Sequence, residues 1–465
     1  MPPELGLTGN AQKRFVQITT LLSLIDPVRG EPIAHSLDRH PHDGKQTRGR
    51  LQKKFLDSFA LICSTSRQGG ESASAVCLET SHLSGTVIRL ARNLGVPEGL
   101  TGSLQAILDD LAAVASRVHH THNHDAESSI ANKEPEILRK ITVLNRDKIQ
   151  GLLKRLQTPE IQDAIEEKTT EAKLRDLSKN AAGSREFVHW IENLPVLARL
   201  NLDINPESLI FHLTWASEAK WVYSRHLEEV FCNEGDDLPL WITIIYKLGK
   251  FAVAAKNMLQ MAIKQPEVLF SVHIEVIQAP TQQPFSLNGE QRPLSTVVRR
   301  LTGGDHDHHI ARLGQFWLTG DPESRFRRAC RLNLTVHAEM QLLAFYDHNP
   351  QLTPSLLFIG TSKRSCFLCH QFLSRHPLAM SVSSCHQKLY PSWAPALCTN
   401  ASVYNRHKVL IRDLSKQLEE TTARDLDKRL DIRRPSVLDS SVGPSLPGPS
   451  SLDMPEDGEG ALIHA

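Results

Sequence analysis

The sequence predicts an α/β fold, a three-layer α/β/α sandwich around one sheet, preceded by an all-α N-terminal region. Up to about residue 235 the apolar residues recur at helical spacing and show little else. Beyond that point helical stripes alternate with short apolar runs of strand length. From about residue 433 the chain is rich in proline, serine and glycine, with almost no large apolar side chain, so it cannot bury a core. The expected division is therefore residues 1–235 helical and of unknown role, 236–432 an α/β domain with a C-terminal helix, and 433–465 a disordered tail.

Within the first region, "ITTLLSLI", "QKKFLDSFALICSTS", "TVIRLARNLGVPEG" (with Gly95 and Pro97 as its stop) and "SLQAILDDLAAVASRV" all read as helices. A long stretch from Glu134 to Leu177 carries Leu138, Ile141, Leu144, Ile149, Leu152 and Leu156 at the same spacing. No repeat period is convincing. In the second region Asp236 and Asp237 offer caps to a helix with an apolar stripe from Trp241 to Ile263, and Pro266 lies past its end. "SVHIEVIQAP" alternates as a strand, and a second strand is expected in "STVVRR" or "QFWLTG". The helix in "TVHAEMQLLAFY" precedes "PSLLFIG", a short apolar run suited to a central strand. A helix around Cys366, stopped by Pro377, and an alternating strand "AMSVSS" complete the sandwich. Leu410 to Leu430 is charged and helix-prone.

Composition narrows the function. The chain has 465 residues, enough for two or three domains, and 53 basic against 52 acidic residues. That balance supplies no global charge for nucleic acid or membrane binding and mildly disfavours a long polyanion. No run approaches the roughly 18 apolar residues of a membrane span. The eight cysteines are scattered, without the look of a disulfide framework or a secretory leader. Free thiols or metal ligands in a reducing compartment, cytoplasmic or nuclear, are expected.

The chemistry sits in two short stretches. His337 and Glu339 open one helix, and Cys366 and Cys369 stand three apart in the first turn of another, with Ser365 as the expected N-cap. Free N–H groups and the dipole in that turn favour thiolates. The strand joining the two helices brings their N-termini to one edge of the sheet, where ligands of open α/β sheets bind. One histidine and two cysteines suit Zn2+ and leave a fourth position for water, the catalytic rather than the structural pattern. Glu339, two residues from His337, reaches that water without ligating and can move its proton.

H-x-E, then 26 residues, then C-x-x-C is the zinc deaminase signature in all but one position, where Ser365 replaces proline. On "VHAEMQLLAFY", "IGTSKRSCFLC" and "HQKLYPSW" the stretch from about Thr335 to Trp393 resembles the fungal OTT-type deaminase-like family, of the cytidine deaminase-like superfamily. The resemblance implies a cytidine deaminase-like fold with His337, Cys366 and Cys369 on zinc and Glu339 as proton shuttle. The implied reaction is hydrolysis, zinc-bound hydroxide attacking C4 of cytosine or C6 of adenine, on a nucleobase free or in RNA or DNA. Thr361 and Lys363 are placed at the mouth of the site to touch a phosphate or base edge, and His386 and Trp393 to stack on a base, Trp393 having core packing as the rival role. A partner-recruiting role falls to the N-terminal helical region by position alone.

The main competing reading is a non-catalytic scaffold with structural zinc, in which Cys385, His386 or Cys398 supplies the fourth ligand. "CFLCH" also matches the c-type haem attachment pattern, which requires an export route that the N-terminus does not show. The clusters "HHTHNHD" and "GGDHDHH" read as solvated loops.

Overall fold

The computed structural model describes residues 6–33, 37, 48–67, 70–82, 85–120, 133–179, 182–202, 205–232, 238–303 and 306–428. Helices α1 (Gly9–Ile25) and α2 (Arg48–Cys63) lead into a hairpin of β1 (Ser74–His82) and β2 (Gly85–Arg92). A helical section follows: α3 (Leu100–His120), α4 (Lys133–Leu144), α5 (Arg146–Leu156), α6 (Pro159–Lys179), α7 (Ala182–Ile191), α8 (Asn193–Ala198), α9 (Pro206–Trp221), α10 (Ser224–Phe231) and α11 (Leu240–Lys264). Then come β3 (Val272–Val276), β4 (Gln283–Phe285), α12 (Pro293–Thr302), α13 (His306–Phe316), α14 (Pro322–Ala329) and β5 (Leu332–Val336). The last elements are α15 (Ala338–His348), β6 (Gly360–Thr361), α16 (Phe367–Leu373), β7 (Trp393–Ala394) and α17 (Ala401–Lys428).

The main sheet runs β3-β2-β1-β6. β1 is antiparallel to both β2 and β6, and β2 is parallel to β3. Beyond β6 the chain adds a parallel bridge from Phe358 to Ser381, with Ile359 N–H donating to the Ser381 carbonyl at 2.8 Å. One face of the sheet, through Val76, Leu78, Ile88 and Leu90, packs on a core shared with α2, α3, α9 and α11. The other, through Ala75, Cys77 and Ala91, packs on α1, α15, α16 and α17. This is a mixed α/β fold with helices on both faces of the sheet. A second, small sheet runs β4-β5-β7.

The hairpin lies inside the stretch expected to be all helical. "TVIRLARNLGVPEG" is strand β2 followed by a turn in which Gly95 takes φ +89°. Seven of its eight strand residues are buried, because helices cover both faces of the sheet. Such a strand lacks the polar alternation that marks a half-exposed one, so its apolar run reads as helix. The hairpin's pairing with β6 places residues on both sides of position 235 in one sheet.

Other elements differ from expectation in smaller ways. "STVVRR" lies in helix α12, with Pro293 in its first turn, and "QFWLTG" is the last two residues of α13 followed by a turn, so neither is a strand. The strand that leads to His337 is β5, "LNLTV". "AMSVSS" contributes only the isolated bridge at Ser381. The stretch from Glu134 to Leu177 is helical as its spacing predicts, in three helices with breaks at Asn145 and Gln157. "GGDHDHH" is not a loop at its end, since His306 opens α13. Asp236, Asp237, His122, His124 and the tail 433–465 lie outside the described residues, and α11 starts at Leu240 with Pro239 at its N-cap and no side-chain cap.

Two close approaches set the geometry near β6. A Cβ on Gly360 would lie 2.4 Å from the Leu56 backbone, so only glycine lets α2 sit directly on β6. Thr361 N–H then donates to Asp57 Oδ1 at 3.0 Å, tying α2 to the loop that leads to Cys366.

Candidate metal centre

β5 delivers His337 to the N-cap of α15, in extended conformation. The end of the hairpin holds that helix start in place. Asn93 Oδ1 accepts from Ala338 N–H at 2.8 Å, and Gln341 Nε2 donates to the Arg92 carbonyl at 3.2 Å. The loop after β6 is fixed by Ser362 N–H to the Ser74 carbonyl at 3.0 Å and Ser365 N–H to the Ser384 carbonyl at 3.0 Å. Because Ser365 is held extended in that bridge, the N-cap of α16 is Cys366 itself, not Ser365. The Cys366 sulfur accepts from Cys369 N–H at 3.3 Å, the bond a capping hydroxyl would otherwise make.

His337, Cys366 and Cys369 present donor atoms within 4.8 Å of one another. His337 Nδ1 lies 3.6 Å from Cys366 Sγ and 3.4 Å from Cys369 Sγ. Tetrahedral zinc places ligand nitrogen and sulfur about 3.6 Å apart, so this donor set fits the ion. Among the described residues no fourth His, Cys, Asp or Glu joins the group. The Cys385 sulfur accepts from Gln387 N–H, His386 Nδ1 accepts from Lys388 N–H, and Cys398 pairs with His407.

Charge is arranged accordingly. Burial alone would push the Cys366 thiol up, but contacts with Cys369 and His337 bring it well below its usual value. Burial pushes the His337 ring down, and the Cys366 thiolate beside it more than restores it. Cys369 is held high by burial and by the neighbouring thiolate. Glu339 is 8% exposed, and burial raises its carboxyl above the ordinary range, with His337 opposing.

The group opens on a cleft of about 230 Å³ lined by His337, Glu339 and Cys366 on one side. Thr361, Lys363 and His386 line it as well, so three of the four expected substrate contacts face the same space. His386 is pushed down to about 4, chiefly by burial, and stays neutral at physiological pH. Its Nδ1 accepts a 2.9 Å bond from Lys388 N–H, so the proton sits on Nε2 as a donor.

Trp393 is placed differently. It is 1% exposed, does not line the cleft, and its Nε1–H points at Cys369 Sγ, 3.3 Å away. Hydrogen bonds of this kind orient and tune a ligand from behind. Trp393→Phe is expected to weaken zinc binding about 10–100-fold in a chelator competition. A change in substrate affinity with zinc binding untouched would return Trp393 to the cleft. The aromatic ring at the mouth is Tyr390, 37% exposed, with its ring 6.0 Å from His337 and 5.7 Å from His386. Sequence reasoning passed over Tyr390 and Asn93, although Tyr390 stands inside "HQKLYPSW". Nothing local distinguishes Asn93, whose partners Ala338 and Gly70 come from distant segments.

A second group lies behind the first. Asp347 Oδ2 accepts from Nε2 of His376 at 2.8 Å and of His407 at 2.7 Å, and Oδ1 accepts from Arg406 at 2.8 Å. These are hydrogen-bond distances. They hold the Asp347 carboxyl well below its usual range against the cost of burial and pin α17 to α15.

The family model described as OTT_1508_deam-like deaminase matches residues 336–396. Residues 336–396 are similar to a deaminase. The matched stretch holds His337, Glu339, Cys366 and Cys369, and stops short of the hairpin and the helical section. No curated protein and no solved structure matches the chain. No helix among the described residues is long and apolar enough to cross a membrane.

Proposed function

We propose that the protein is a zinc-dependent hydrolytic deaminase acting on a nucleobase. The observation that carries this is a three-donor group, with no fourth protein ligand among the described residues, opening beside a buried carboxylate onto a cleft. Held by His337, Cys366 and Cys369, zinc would lower the pKa of a water toward neutrality and so supply a nucleophile. Glu339 would take one proton from that water and pass it to the ring nitrogen as the oxygen adds to the ring carbon, and then carry the second proton, from the new hydroxyl, to the amine, so that the carbonyl forms as the C–N bond breaks and ammonia leaves. The raised carboxyl of Glu339 suits it to hold a proton between these transfers. His386 Nε2–H donates to an acceptor on the base, Tyr390 covers one face of the ring, and Thr361 borders its edge.

Elemental analysis of the purified protein tests this together with ammonia release from cytosine and adenine nucleosides and nucleotides. One zinc per chain is expected, lost in Cys366→Ser and kept in Cys385→Ser, with ammonia released from one substrate series. Zinc lost in Cys385→Ser as well would indicate a closed structural site and remove the enzymatic reading.

A further inference from the structure

A buried side chain at the cleft is fixed as a hydrogen-bond donor and meets no acceptor among the described residues. His386 is 3% exposed and lines the cleft. Its backbone N–H donates to the Ser365 carbonyl at 3.1 Å, which sets it beside the turn that carries Cys366. Its Nδ1 accepts from Lys388 N–H at 2.9 Å, so the neutral ring presents Nε2–H to the cleft. Nothing among the described residues accepts from Nε2.

The other polar side chains at the cleft are of a different kind. Asn93 spends Oδ1 on Ala338 N–H and Nδ2 on the Gly70 carbonyl, and Ser362 Oγ accepts from Ser74 N–H. Thr361 Oγ1 is buried without a partner, but a hydroxyl rotates to donate or accept and so suits any base edge. Lys363 and Arg364 are partly exposed on the loop before Cys366, and their long side chains follow an acceptor rather than fix its position. An N–H held in place and unmatched is selective, because a ligand without the acceptor leaves it desolvated and unpaired.

Cytosine and adenine offer a deaminating site the same first two atoms: the carbon that bears the amine, and the ring nitrogen beside it that Glu339 serves. They differ at the next position. There cytosine carries the O2 carbonyl, an acceptor, and adenine has only C2–H. Tyr390 connects the two ends of this edge, since its ring lies 6.0 Å from that of His337 and 5.7 Å from that of His386. A base lying on Tyr390 is within reach of the metal group and of His386 together.

We propose that His386 reads the O2 carbonyl of cytosine, so that the substrate base is cytosine and not adenine. This rests on the deaminase reading for the reaction itself. The metal group and Glu339 serve either base, and His386 separates them.

The test measures ammonia release by zinc-loaded full-length protein from cytidine and adenosine, and from two oligothymidylates that carry a single dC or a single dA. The cytosine member of each pair is expected to be favoured about tenfold or more in kcat/KM, the cost of leaving one buried donor unpaired. His386→Asn keeps an acceptor for Lys388 N–H and removes the donor, and should cut the preference to about threefold or less by slowing the cytosine substrates alone. His386→Gln, whose amide reaches the place of Nε2, should restore part of it. Zinc content and thermal melting check the fold of both variants. One comparison needs no variant: cytosine should bind the wild type about tenfold or more tightly than 4-aminopyrimidine, which lacks O2, in calorimetric titration. Adenosine deaminated as fast as cytidine overturns the cytosine assignment and leaves the deaminase reading in place. Equal losses on both bases in His386→Asn overturn His386 as the reader. A cytosine advantage over 4-aminopyrimidine that His386→Asn abolishes, without ammonia from any base, keeps the recognition and removes the deaminase reading. Equal binding of cytosine and 4-aminopyrimidine, or binding of neither, overturns the recognition whatever the turnover.

Discussion

Glu339→Gln is expected to keep about one zinc per chain and to lose ammonia release by about 10²–10⁴-fold, the range that a positioned general acid–base supplies. The side chain is isosteric, so the packing of α15 and the placing of His337 are undisturbed. Glu339 stands outside the donor group, so the metal has no reason to leave. What disappears is the ability to accept and return a proton in a pocket where bulk water is scarce. A structural zinc site predicts the opposite pattern, because there the carboxylate does nothing and its removal relieves the cost of burying it. Parallel measurements of zinc content and single-turnover ammonia release separate the two. Unchanged turnover would assign proton transfer to another group at the cleft, His386 being the first to examine.

The donor group was legible in the sequence because its geometry is local. Cys366 and Cys369 share one helical turn, and His337 and Glu339 share another, so spacing alone placed each pair. The connection through β6 then brought the two turns together, although of the apolar run "PSLLFIG" only Gly360 lies in the strand and Phe358 makes an isolated bridge. The hairpin was not legible, for the opposite reason. Its partners β3 and β6 lie far along the chain, and burial on both faces erased the alternation that would have marked β2. Ser365 looked like the better cap by residue type, but its backbone is committed to Ser384, which moved the cap to Cys366. Trp393 had the composition of a base-stacking residue. Its indole N–H made it a partner for the Cys369 sulfur, a distinction only the fold can draw.

A fragment spanning residues 236–432, the domain expected from sequence, should fail to fold as a cooperative unit. β1 is the strand that joins β2 to β6, and β2 is the strand that pairs with β3. Removing the hairpin therefore strips β3 and β6 of their partners in the main sheet and leaves unpaired backbone groups in what had been an interior. It also takes Phe15, Ile18, Leu22, Ala75, Cys77 and Ala91 out of the core behind α15 and α16. At about 1.5–3 kcal/mol for each large apolar side chain removed from its burial, this loss alone is comparable with the whole stability of a domain. The metal group would suffer with it, because Asn93 anchors the turn carrying His337 and Asp57 anchors the loop before Cys366. The expected result is a fragment without a sigmoidal melt by circular dichroism and without stoichiometric zinc. A chain cut to residues 1–428, which keeps every described element, should retain both. A cooperative, zinc-bearing 236–432 fragment would mean that the sheet can close without its central hairpin.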